Sequence, residues 1–160
     1  MGILQERTNI IVDILNFFCI LVFLNHRGRK MSKLYFAYGA NISKRSTRIR
    51  CPDAQPIRPI ILRDWELVFY SHASVEPKNG AIVHGVLWEI TPECEESLDI
   101  YEGFPIYYTK VNYVQDDEEF FFYEMNGHRS GTPSNNYIDD INDAYKSWGI
   151  DHHIAIQNYF

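Results

Sequence analysis

Glu102 and the segment Tyr38-Gly39-Ala40-Asn41-Ile42 are the residues of this chain whose types and surroundings could carry chemistry. Glu102 stands just before Gly103, at the end of a stretch that reads as a helix. The partial negative charge at a helix C-terminus disfavours an ionised carboxylate and raises its proton affinity. The neighbours Tyr101, Phe104 and Ile106 push the same way by excluding water. A carboxylate tuned upward takes a proton and gives it back, which is general acid–base work. Position alone favours the plainer reading, a solvated surface glutamate.

The second element is a loop. Leu34 to Tyr38 reads as a short buried strand that breaks at Gly39 and hands over to the polar run Ser43–Arg50. Glycine lets the backbone turn sharply and approach a ligand, Asn41 tolerates left-handed angles, and Ser43 can cap a following helix. Such a loop aims backbone N–H groups into one concavity and suits a carboxylate or phosphate. By itself it could equally be an ordinary turn.

Around these groups the sequence predicts a mixed α/β order. After a helix or turn at 43–50, Pro52, Pro56 and Pro59 make an irregular stretch, followed by strand-like runs at 60–62, 65–70 and 81–90. Thr91-Pro92-Glu93 starts a helix, with Thr as cap and Pro at the first helical position, and Gly103 with Pro105 stops it. Strands at 107–114 and 119–125 form a hairpin around Asp116-Asp117, and a last helix runs from Ser134 to Trp148.

The motif order resembles the gamma-glutamylcyclotransferase-like superfamily (AIG2-like domains), whose first strand ends in Tyr-Gly-Ser-Asn-Leu. Here that signature stands as Tyr38-Gly39-Ala40-Asn41-Ile42. Further matches are Leu62-Arg63-Asp64-Trp65-Glu66-Leu67-Val68-Phe69, then Gly80 through Gly85-Val86-Leu87-Trp88, then Leu98-Asp99-Ile100-Tyr101-Glu102-Gly103-Phe104-Pro105. The resemblance implies a small mixed β-sheet or partly closed barrel with flanking helices, its pocket mouth at the Tyr38–Ile42 loop. It implies that Glu102 is the general acid/base of an intramolecular aminolysis. A gamma-glutamyl group's α-amine attacks its own γ-carbonyl, giving 5-oxoproline and a free amine. Tyr38, Gly39, Ala40, Asn41 and Ile42 would hold the substrate, and Tyr137, within Pro133-Ser134-Asn135-Asn136-Tyr137, would face the pocket. Tyr137 could equally be a core aromatic beside Ile141 and Tyr145. Ala40 replaces the family's Ser, which removes a hydroxyl and leaves the backbone donors.

The readings carried beside this one are a gamma-glutamylamine cyclotransferase, a biosynthetic gamma-glutamyl-removing enzyme, and a non-catalytic carboxylate-binding module. No cofactor and no metal are expected, and the partner is a small-molecule gamma-glutamyl substrate. His152-His153 lacks partners at ligand spacing, and no phosphate loop or Gly-x-Ser-x-Gly elbow is present. Ser74 has no His and Asp at a spacing that would make a triad. His72 and His84 read as structural residues in strands, Tyr35 as core, and Lys44, Arg45, Arg48 and Arg50 as a solvated helix face that could attract an anion.

Bulk properties agree with one small globular domain. The 160 residues suffice for a core, and the rich Tyr and Phe content favours strands. A net charge of −6 argues against nucleic acid. Three scattered cysteines, Cys19, Cys51 and Cys94, fit a reducing cytosol. Residues 1–30 read as an apolar extension to a domain at 31–160. They carry four basic and two acidic side chains, so the remainder stands at −8. The apolar run at 9–24 is short for a spanning helix, is interrupted by Asp13 and Asn16, and lacks signal-peptide features. A translated upstream region with the true start at Met31 is one expectation, and a marginal anchor the other. Oligomeric state has no signal in the sequence.

Overall fold

The computed structural model describes residues 31–127 and 130–155, so the expectations for residues 1–30 lie outside the described residues. Its strands are β1 (Lys33–Ala37), β2 (Gln55–Phe69), β3 (Ala73–Ile90), β4 (Tyr108–Gln115) and β5 (Glu118–Met125). The helices are α1 (Lys44–Arg50), α2 (Pro92–Glu102) and α3 (Asn135–Ser147), with a 3-10 turn at Ala40–Ile42. The strands form one five-stranded sheet in the order β2-β3-β1-β5-β4. β1 pairs antiparallel with β3 and parallel with β5, so the sheet is mixed, as the resemblance implied.

Local sequence explains most element ends. Thr91 caps α2 by accepting from Cys94 N–H, and Gly103 closes it at φ 66, a left-handed conformation costly to a side chain. Ser134 caps α3 through Tyr137 N–H. Asp116 and Asp117 both take positive φ, 53 and 63, the signature of a type I′ turn between β4 and β5.

The proline-rich stretch is a correction. Pro56 and Pro59 lie inside β2, opposite Trp88 and Val86. β2 is an edge strand, so a missing N–H can face outward without breaking a ladder. β2 and β3 are therefore one long hairpin rather than separate short runs, with irregularities between Pro56 and Arg58 and between Arg63 and Trp65. Asp64, at φ 61, sits in the second and accepts from Gly80 N–H at 2.8 Å.

The two sheet edges approach each other without a backbone ladder. Gln115 at the end of β4 donates to Ile61 O at 2.9 Å and accepts from Arg63 N–H at 3.0 Å, both on β2. Arg63 also holds Asp116 through two bonds of 2.8 Å, and Arg58 pairs with Glu118. Side chains thus span the seam of an open sheet. The core gathers Phe36, Leu87, Trp88, Leu98, Phe122, Ile141 and Tyr145, all fully or almost fully buried.

Candidate functional site

A cavity of about 510 Å³ opens where β1 ends, between the 3-10 turn, the end of α2, the β2–β3 turn and α3. Its lining includes Tyr35, Tyr38, Gly39, Ala40, Asn41, Ser71, His72, Tyr101, Glu102, Tyr108, Tyr123 and Tyr137. Such a concavity, mostly aromatic with a few converging polar groups, is the usual form of a small-molecule site.

Glu102 is the last residue of α2 and is half-buried. Burial pushes its carboxyl up to about 7 from an ordinary 4.5, against the downward pull of a hydrogen bond from Asn41 and of the Arg50 guanidinium. The source of that burial is not the one expected. Tyr101, Phe104 and Ile106 are 49%, 38% and 73% exposed, so the sequence neighbours do little to exclude water. The enclosing wall is built from distant residues: Tyr35 on β1, Tyr38 after it, Tyr123 on β5 and Tyr137 on α3. The phenols of all four are held above their usual range, by burial first and by the negative charge of Glu102 in addition.

Asn41 is the hub of the loop. Its Nδ2 donates to Glu102 Oε1 at 2.9 Å and to Tyr35 Oη at 3.0 Å, and its Oδ1 accepts from Arg50 Nη1 at 2.8 Å. Asn41 has ordinary right-handed backbone angles within the 3-10 turn, so its side chain matters here rather than its tolerance of left-handed ones. Its carbonyl is tied down by Thr47 Oγ1 at 2.7 Å. Gly39 is favoured by close approach: a Cβ there would lie 3.2 Å from Tyr137 Oη and 3.3 Å from Ala73 Cβ, so these neighbours would have to shift by a few tenths of an ångström.

The loop is not a uniform row of outward amides. Ile42 N–H bonds back to Gly39 O at 3.0 Å, and the Tyr137 hydroxyl above Gly39 accepts from Ala73 N–H at 3.2 Å. Ile42 is fully buried, does not line the cavity, and its carbonyl accepts from Trp148 Nε1 at 2.8 Å. Tyr38, Gly39, Ala40, Asn41, Glu102 and Tyr137 are brought together at the cavity; Ile42 supports them from behind.

Several residues were misread or missed. Tyr35 is core and cavity wall at once, since its ring packs on Phe121 while its hydroxyl meets Asn41. Arg50 is no solvated helix residue; it lies 3.6 Å from the Tyr101 ring and bonds Asn41. His72 lies in the β2–β3 turn, not a strand, with its ring edge-on to Tyr137. Tyr123 and Tyr108 join the site through pairings that only the folded sheet creates. The signal available for Arg50 was its place nine residues after Asn41 at the end of a short helix. Ser74 is structural, its buried hydroxyl accepting from Met125 N–H at 3.0 Å. His84 stacks on His152 with centroids 4.5 Å apart, and no cluster of three metal-ligating side chains occurs among the described residues.

An open mixed sheet flanked by three helices, with the loop after β1 facing the end of α2, defines a gamma-glutamyl cyclotransferase-like fold. The sequence profile described as "Gamma-glutamyl cyclotransferase, AIG2-like" matches residues 35–146, and the chain belongs to that family. Similar solved structures include a protein titled "Gamma-glutamyl cyclotransferase", 26% identical with a TM-score of 0.69, covering 76% of this chain and 82% of that one. An uncharacterized protein from Homo sapiens is 26% identical with a TM-score of 0.68, covering 75% and 82%. YkqA from Bacillus subtilis, at 18% identity and a TM-score of 0.59 over 74% of this chain and 50% of that one, shares the fold. No curated protein matches. Among the described residues no helix is long and apolar enough to cross a membrane.

Proposed function

We propose that this chain converts a gamma-glutamyl amide to 5-oxoproline and a free amine, with Glu102 moving the protons. Ionised Glu102 takes a proton from the substrate's α-ammonium. The neutral amine then attacks the γ-carbonyl carbon, forming the ring C–N bond. Collapse of the tetrahedral intermediate breaks the bond to the departing nitrogen, which leaves protonated. The ring nitrogen loses two protons and the departing nitrogen gains two, so no electrons change hands and Glu102 ends as it began. Nucleophile and electrophile share one molecule, so selecting a folded conformer supplies much of the rate.

The observation that carries this reading is Glu102 itself. Its carboxyl lies in a cavity wall, is held at one oxygen by Asn41, and titrates near 7, where a general base is most useful. Family membership over residues 35–146 supports it. The test is incubation of the purified chain with gamma-glutamyl dipeptides, gamma-glutamyl amines and glutathione, reading 5-oxoproline by mass spectrometry. Product is expected from at least one substrate, and Glu102→Gln should lower turnover by about 10²–10⁴-fold while keeping ligand binding. A folded protein that yields no product from any of them, or an equally active Glu102→Gln, would sink the reading.

A further inference from the structure

We infer that Arg50 is a positioning residue, which by donating to Asn41 Oδ1 fixes the end of the Asn41 carboxamide that faces Glu102. The inference rests on the reading of Glu102 as the proton carrier. A carboxamide is almost the same shape either way round, so its partners decide its orientation. The guanidinium of Arg50 has donors only. At 2.8 Å from Asn41 it demands the oxygen, which turns the NH2 group toward Glu102 Oε1 and Tyr35 Oη. The opposite orientation would set the amide oxygen against the carboxylate, an arrangement tolerable only once Glu102 is protonated. Arg50 therefore favours the ionised, proton-accepting form of Glu102 through the Asn41 carboxamide, in addition to the direct pull of its charge.

The geometry is built to hold. The Arg50 guanidinium lies over the Tyr101 ring, 3.6 Å from its centroid, and Tyr101 is the residue adjacent to Glu102. The backbone carbonyl of Asn41 is held by Thr47, inside the helix that ends at Arg50. Asn41 is only 4% exposed, so water does not substitute for a lost partner. Asn41 engages Oε1, which leaves Oε2 as the oxygen that exchanges the substrate's proton. The other titratable groups lining the cavity with Glu102 are Tyr35, Tyr38, Tyr101, Tyr107, Tyr108, Tyr123, Tyr137 and His72, and the charge that pulls the Glu102 carboxyl down is the Arg50 guanidinium.

The test compares Arg50→Met, which keeps bulk and removes every donor, with Arg50→Lys, a donor-only cation. Two readouts are taken on the full chain: the pH profile of kcat, and carboxyl-carbon NMR titration of Glu102, assigned by its disappearance in Glu102→Gln. Arg50→Met is expected to move both midpoints to higher pH and to lower turnover at pH 6 by about tenfold. Arg50→Lys should recover most of the wild-type midpoint. An unmoved Glu102 titration in a folded Arg50→Met overturns the inference. Equal displacement in Met and Lys variants overturns it too, because that result assigns the effect to lost packing on Tyr101. If the wild type makes no 5-oxoproline, the reaction reading falls, whereas the NMR titration still decides the role of Arg50.

Discussion

At the scale of single residues, the site works by surrounding one carboxylate with groups that resist its charge and one amide that welcomes it. That balance has a thermodynamic signature. Below pH 4.5 Glu102 is protonated in both folded and unfolded chains and exerts no pH-dependent effect. Between 4.5 and about 7 the unfolded chain ionises first, so the proton bound by the folded state is lost as pH rises and stability falls. Above 7 the loss is complete. Glu102→Gln carries no such penalty and should exceed wild type in stability at pH 8 by about 2–3 kcal/mol, the gap closing below pH 4.5. Urea melts at the two pH values measure it; an identical gap at both would refute the buried-charge account. Glu102 was legible because a helix stop and a family motif coincide there. Tyr35 and Arg50 were not, because a phenol on a strand and an arginine on a helix look ordinary until the fold sets them beside Asn41.

At the scale of elements, the end of α2 positions the carboxylate, and Gly103 determines that end. A side chain at Gly103 would suffer the positive φ and would meet Tyr107 Cδ2 at 2.4 Å. Gly103→Ala should cost about 1–3 kcal/mol and lower turnover with it, whereas Gly149→Ala, also at positive φ but in open space, should cost less and spare turnover. Thermal melts with a 5-oxoproline assay separate the two. From the other side, α3 reaches the site at both ends, through Tyr137 over Gly39 and through Trp148 at Ile42 O. A third brace is electrostatic: Lys110 on β4 bonds Glu95 and Asp99 on α2, and Tyr123 donates to Asp99 at 2.6 Å. The helix caps and the Asp116-Asp117 turn were readable because each rests on one or two residues with special backbone chemistry. The continuity of β2 through two prolines was not, since it depends on that strand having one unpaired side, a property of the sheet.

At the scale of the whole molecule, the sheet is a curved surface whose two borders come within reach of one side chain. Gln115 offers one N–H group and one oxygen to Ile61 O and Arg63 N–H, the same pair that a peptide unit of a neighbouring strand would offer. Gln115→Ala should therefore lower stability by about 1–3 kcal/mol, because two backbone groups lose their partner. Calorimetric melting checks the size of the effect. The further consequence concerns other molecules. A carbonyl and an amide left open on a border strand are a template for a stranger's backbone. In wild type the chain plugs that template with its own glutamine and flanks it with the Arg58–Glu118 and Arg63–Asp116 pairs. The amide of Gln115 thus serves as a guard against misassembly, and the alanine variant should scatter light and cluster as concentration rises while wild-type protein stays dispersed.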